Sequence, residues 1–126
     1  MGTYGVAQLA SSFRTVRTNT IQIVEDIPES KYDFVPAPGT QSVAALLKHI
    51  AFAPMLHEDM HRDKRLTTTG PTGENEQTRL ASLLGPEEHE MHHRGQLMLI
   101  ERILGIVPHL TRQRQERALQ HAWSAT

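Results

Sequence analysis

Pro86-Glu87-Glu88-His89-Glu90-Met91-His92-His93-Arg94-Gly95-Gln96-Leu97-Met98-Leu99-Ile100-Glu101-Arg102-Ile103-Leu104-Gly105 decides the fold. Proline suits a first helical turn, and Glu87, Glu88 and Glu90 suit the positive end of a helix dipole. Gly105 is a good stop, with Pro108 just beyond. The pattern predicts one helix from Pro86 to Gly105. At ~100° per residue with His89 at zero, His93 falls near ~40°, Ile100 near ~20°, Leu104 near ~60° and Leu97 near ~80°. His89 and His93 therefore stand in the middle of the face that becomes aliphatic a turn later. They are one turn apart and can face a common ion. Glu90 falls at the border of that face, where it is expected to pair with Arg94 as an i, i+4 couple on the surface.

The rest of the chain reads as helices around this one. Val6, Leu9, Phe13, Val16, Thr20, Val24 and Ile27 recur at three- and four-residue steps, predicting a helix that ends at Pro28. Tyr32 to Gly39 reads as an ordered loop anchored by Tyr32 and Phe34. Ser42 is a plausible N-cap for a second helix running to about Arg65. Its inner stripe is Val43, Leu46, Leu47, Ile50 and Ala53, and Pro54 is expected to kink it. Leu66 to Glu76 has no apolar period and reads as loop; Leu80, Leu83 and Leu84 form a short apolar turn. A last, polar helix over about Thr111 to Ala122 is expected at the periphery, with Leu110, Leu119 and Trp123 as its sizeable apolar groups. No strand pattern, repeat or heptad appears. The fold class is all-α, an up-down helical bundle in a single domain spanning 1–126.

Composition narrows the function. Thirteen basic and fourteen acidic side chains give a net charge of −1, too balanced for phosphate neutralisation, so no nucleic-acid partner is expected. The absence of cysteine excludes disulfides, thiolate zinc sites and a cysteine nucleophile. The longest aliphatic run, Leu97 to Ile100, is far short of the ~20 residues of a membrane span. No membrane partner is expected, and with no readable address at the N-terminus the expected location is cytoplasmic. The chain holds eight histidines, more than packing requires.

Two imidazoles at i and i+4 begin a metal site, but zinc-like ions take at least three protein ligands. The third has to come from another helix, and His49 on the second helix is the candidate. His57 and His61 repeat the spacing within a strongly charged stretch and read as a solvated face. His109 and His121 read as surface residues, and His92 as a helix-edge group close to the pair. Both histidine pairs match H-E-x-x-H, the zinc-peptidase spacing with its glutamate base. A helical bundle lacks the strand edge on which a peptide substrate lies, so a peptidase is the minor alternative.

His89-Glu90-Met91-His92-His93-Arg94-Gly95-Gln96-Leu97 contains H-x-x-x-H-R-G-Q-L, preceded by Ser42-Val43-Ala44-Ala45-Leu46-Leu47-Lys48-His49-Ile50-Ala51. Together they resemble the DinB/YfiT-like superfamily of metal-binding four-helix bundles. Phe13-Arg14-Thr15-Val16-Arg17 and the Pro36-Ala37-Pro38-Gly39 loop fit its N-terminal part. The resemblance implies that His49, His89 and His93 hold one divalent ion, zinc or nickel. By its helical angle Gln96 lies close to the ligand face, where it can hydrogen-bond a ligand ring, and His92 is a further candidate to stand behind the ligands. It also implies a homodimer, and for some relatives a thiol-dependent transferase or a hydrolase acting on a small molecule with a low-molecular-weight thiol. A non-catalytic module, stabilised by its metal or responsive to stress, is the alternative. No residue declares itself as the catalytic group. Relatives carry a further long helix where this chain has only a short interval; 66–79 is expected to be loop or the site of that missing helix. Either the helix is deleted, leaving the bundle open on one side, or it is not represented in the chain as read.

Overall fold

A computed structural model of the chain describes residues 5–62 and 79–124, apart from the side chains of 56, 57, 59–62 and 79–82. These residues form four helices and no strand: α1 (Val6–Asp26), α2 (Val43–Arg62), α3 (Arg79–Ile103) and α4 (His109–Ser124). A single 3-10 turn, Glu29–Lys31, follows Pro28. The interval expected to be loop or the missing helix lies, up to residue 78, outside the described residues.

α1 begins at Gly5, whose N–H donates to the Gln8 Oε1 at 3.1 Å. Its buried stripe is Leu9, Val16, Thr20 and Ile23, with Ile27 following at the C-cap. Ile23, rather than Val24, is the residue sealed in the core, and Val6 is exposed. The expected stripe drifted by one position because three- and four-residue steps both satisfy the periodicity, and only the neighbouring helices decide between them. Thr20 is tolerated there because its hydroxyl donates to the Val16 carbonyl at 3.1 Å.

The connection to α2 is an ordered loop, as its prolines and aromatics indicated. Ala37-Pro38-Gly39-Thr40 closes on a 3.1 Å bond from the Thr40 N–H to the Ala37 carbonyl, with Gly39 at φ +79°. Proline at the second and glycine at the third position suit a type II turn, where a side chain at the third would be strained. Ser42 caps α2: its Oγ accepts from the Ala45 N–H at 3.2 Å. The Val43 and Ala44 N–H groups donate to the carbonyls of Phe34 and Tyr32, which ties the loop to the helix start. α2 runs on through Pro54.

α3 is longer than the sequence suggested. It starts at Arg79 and absorbs Pro86 into its interior. Glu87, Glu88 and Glu90 are thus mid-helix, not first-turn, residues. Pro86 is buried, and it lines a cleft with Leu9, Phe13 and Pro54, so packing offsets the backbone hydrogen bond that proline forgoes. The C-terminus of α3 matches expectation. Gly105 sits at φ +81°, the Ile106 N–H donates to the Glu101 carbonyl at 2.8 Å, and the Gly105 N–H to the Arg102 carbonyl at 3.1 Å. That pair of bonds is a Schellman motif.

α3 packs against α1 and α2, and α4 against α1. The core joins Ile23, Ile27, Val43, Leu46, Ile50, Leu97 and Ile100, with Tyr32, Phe34, Leu47, Met98, Leu104 and Ile106 around them. Leu119 and Trp123 of α4 are exposed, in keeping with a peripheral helix. No helix among the described residues is long and apolar enough to cross a membrane.

Candidate metal centre

His49 stands on α2 next to Ile50, which buries itself against α3. His89 and His93 stand one turn apart on the face of α3 that meets it. The three rings converge. His49 Nε2 lies 2.9 Å from His89 Nε2, and His93 Nε2 lies 3.1 Å from His89 Nε2. Ring centroids are 4.7, 4.7 and 4.4 Å apart, each pair edge to face. Ligands held ~2.0–2.1 Å from a tetrahedral ion stand roughly 3.4 Å from one another, close to these separations. Among the described residues this is the only group of three or more potential ligands close enough to share an ion. His49 is exposed while His89 and His93 are half-buried, so the centre lies at the surface rather than inside the bundle.

Gln96 links two of the histidines on α3. Its Oε1 accepts from His93 Nδ1–H at 2.7 Å, and its amide nitrogen lies 3.3 Å from His92 Nε2. Protonation at Nδ1 leaves a neutral His93 with its Nε2 lone pair aimed at the other two rings. A cation is the group that such converging lone pairs can share, so the donor set fits a divalent ion. His92 is exposed, with its ring 5.0 Å from that of His93, and reaches the centre only through Gln96.

Glu87 and Glu90 of α3 point the other way. Glu90 is 1% exposed and receives two bonds from Arg17 of α1, from Nε at 3.1 Å and from Nη2 at 2.8 Å. The expected surface pair with Arg94 is therefore replaced by a buried bridge to α1. Arg17 also lies over the Phe13 ring, 5.7 Å from its centroid. Glu87 accepts from the Ser12 hydroxyl. With Glu90 committed to Arg17, the H-E-x-x-H match at His89 lacks its base. The other match, at His57 and His61, lies outside the described side chains, as does their expected role as a solvated face.

Two further buried groups stand near the C-terminal end of α3, Glu101 and His109. Glu101 is 0% exposed and neither carboxylate oxygen has a partner among the described residues. Burial, with repulsion from Asp26, pushes its carboxyl up to about 7. His109, expected at the surface, is buried, with its Nε2 3.1 Å from Asn19 Oδ1. Burial holds its imidazole below the usual range. Beside them Arg112 bridges to Asp26 at 2.9 Å. Continuing the steps from Glu87 and Glu90 through Arg94 and Leu97 reaches Glu101, so one stripe carries all three buried acids; that periodicity was the available signal.

Residues 12–56 match the family model described as DinB superfamily. Over those residues the chain is similar to the DinB superfamily. The match covers the α1–loop–α2 part that holds His49, while the H-x-x-x-H-R-G-Q-L block on α3 lies beyond it. No curated protein and no solved structure matches the chain significantly.

Proposed function

We propose that this DinB-like chain is a metal-dependent enzyme of the thiol S-transferase or hydrolase kind, with one zinc or nickel ion on His49, His89 and His93. The observation that carries the reading is the convergence of three imidazole nitrogens from two helices at 2.9 and 3.1 Å. Held by neutral ligands alone, a divalent ion keeps its full charge and lowers the pKa of a water or thiol beside it toward ~7.

The chain's own residues do the rest. Gln96 fixes the His93 tautomer and ring orientation. His92, tied to the same amide, helps to hold Gln96 in place. Glu87 and Glu90 are turned into α1 and so are not bases for the centre, which favours a thiol nucleophile over base-assisted hydrolysis. The exposure of His49 supports an open coordination position over a closed structural site. Exposed Phe52 and Met55 on α2 support a homodimer. The absence of a membrane-crossing helix among the described residues is compatible with a cytoplasmic place.

The test is elemental analysis of purified wild type and variants. Wild type is expected to carry close to one divalent ion per chain. His49→Ala, His89→Ala and His93→Ala each lose it while circular dichroism stays helical, and His57→Ala and His61→Ala keep it. Full occupancy in the first three variants contradicts the reading.

A further inference from the structure

Beside the three histidines lies a cleft of about 520 Å³. Its walls are the Ala37–Thr40 turn with Pro36 and Gln41 on one side and α3 on the other. His93 and Gln96 close one end, and Leu99, Ile100 and Ile103 extend from them along α3. Gln96 to Ile103 is seven helical steps, or about 10 Å. No Lys, Arg, Asp or Glu lines the cleft among the described residues. Leu99 and Ile103 are 62% and 53% exposed, so they contribute little to the core of this chain. The size is in the range of small-molecule sites, which are mostly apolar with a few polar groups at one end. The lining offers nothing to balance a charged body, and the one concentration of lone pairs is at the histidine end.

We infer that this cleft takes the uncharged aliphatic or aryl body of a small substrate whose polar head reaches the three histidines. The assignment rests on the metal reading above for the head group only. Compounds with an extended apolar tail fit it, and phosphorylated or dicarboxylate bodies do not. The occupant is a small molecule rather than a second copy because the cleft is continuous with the candidate centre and concave against an ordered turn.

The experiment titrates cobalt-loaded protein with aceto-, butano-, hexano- and octanohydroxamate. The cobalt absorption bands read head-group ligation, and calorimetry reads affinity. Affinity is expected to rise about fourfold per added methylene and to level off near the octyl chain. Leu99→Gln and Ile103→Gln, both at exposed positions, are expected to flatten that rise and leave the starting cobalt spectrum unchanged. Equal affinity along the series, with normal cobalt binding, overturns the cleft assignment and leaves the metal reading standing. If cobalt does not bind, the metal reading fails alone; octanohydroxamate is then titrated into metal-free protein, where tail-dependent binding lost in Leu99→Gln supports the cleft and its absence overturns it. Sedimentation in the same samples completes the test: a dimer that dissociates as the octyl ligand binds, and in Ile103→Gln without it, identifies a second copy as the occupant and also overturns the assignment.

Discussion

The two faces of α3 treat polar groups in opposite ways. Toward α1, Glu87 and Glu90 are buried and take protein partners, Ser12 and Arg17, from the facing helix. Toward α2, His89 and His93 turn their nitrogens to a third ring, His49, at a half-open surface. The first arrangement is paired within the protein, anion to cation and hydroxyl, although one oxygen of each carboxylate has no partner among the described residues. The second gathers groups of like character, whose lone pairs a bound cation can share. The contrast separates residues that build the bundle from residues that use it.

The contrast breaks most sharply if the faces exchange roles under mutation. His89→Ala is expected to lower affinity for zinc by more than a hundredfold with little change in thermal stability of the metal-free protein. Arg17→Met is expected to do the reverse. It leaves the buried Glu90 unpaired and destabilises the fold by about 2 kcal/mol, less than a fully buried pair because Arg17 is partly exposed. Its zinc content, read by elemental analysis, stays that of wild type. Loss of zinc in Arg17→Met with stability intact would erase the division of labour.

Glu101 sharpens the comparison because it is buried near Asp26 of α1 yet its carboxylate has no hydrogen-bond partner among the described residues. Its folded-state value of about 7 lies above the usual 4.5. The folded chain therefore binds more protons between those values, and stability falls as pH rises across that window. Glu101→Gln is expected to be more stable than wild type above pH 7, on the order of 1–2 kcal/mol in urea titrations, with the gain vanishing near pH 4.5. His109 has the opposite sign. Its imidazole is held low, so its burial opposes folding as pH falls through the usual histidine range.

The smallest effects concern helix ends. Ser42→Ala removes the α2 cap and is expected to cost about 1 kcal/mol. Its consequence for the metal is smaller still, because loop carbonyls also hold the start of α2.

What was legible in the sequence follows the range of each interaction. The i, i+4 histidines, the Ser42 cap and the Gly105 stop are local chemistry and stand as read. The start of α3 was not legible because Pro86 suits a first turn, and only its burial near Leu9 and Pro54 explains an internal place. Glu90 was assigned the nearest cation along its own helix, whereas the fold supplies Arg17 from 73 positions away. His109 reads as a surface residue of a polar helix, whereas the fold buries it and supplies Asn19 from α1. The pairing of His49 with His89 and His93 rests, in the sequence, on the need for a third ligand from another helix and on the family resemblance, since a lone histidine on α2 carries no local signal of what it faces.

The most direct test of the central claim is long-range proton–nitrogen NMR of the histidine rings during zinc addition. The account predicts that the Nε2 resonances of His49, His89 and His93 shift together and saturate at one equivalent, while His93 keeps its proton on Nδ1. Shifts confined to His89 and His93, or appearing at His57 and His61 instead, would contradict it.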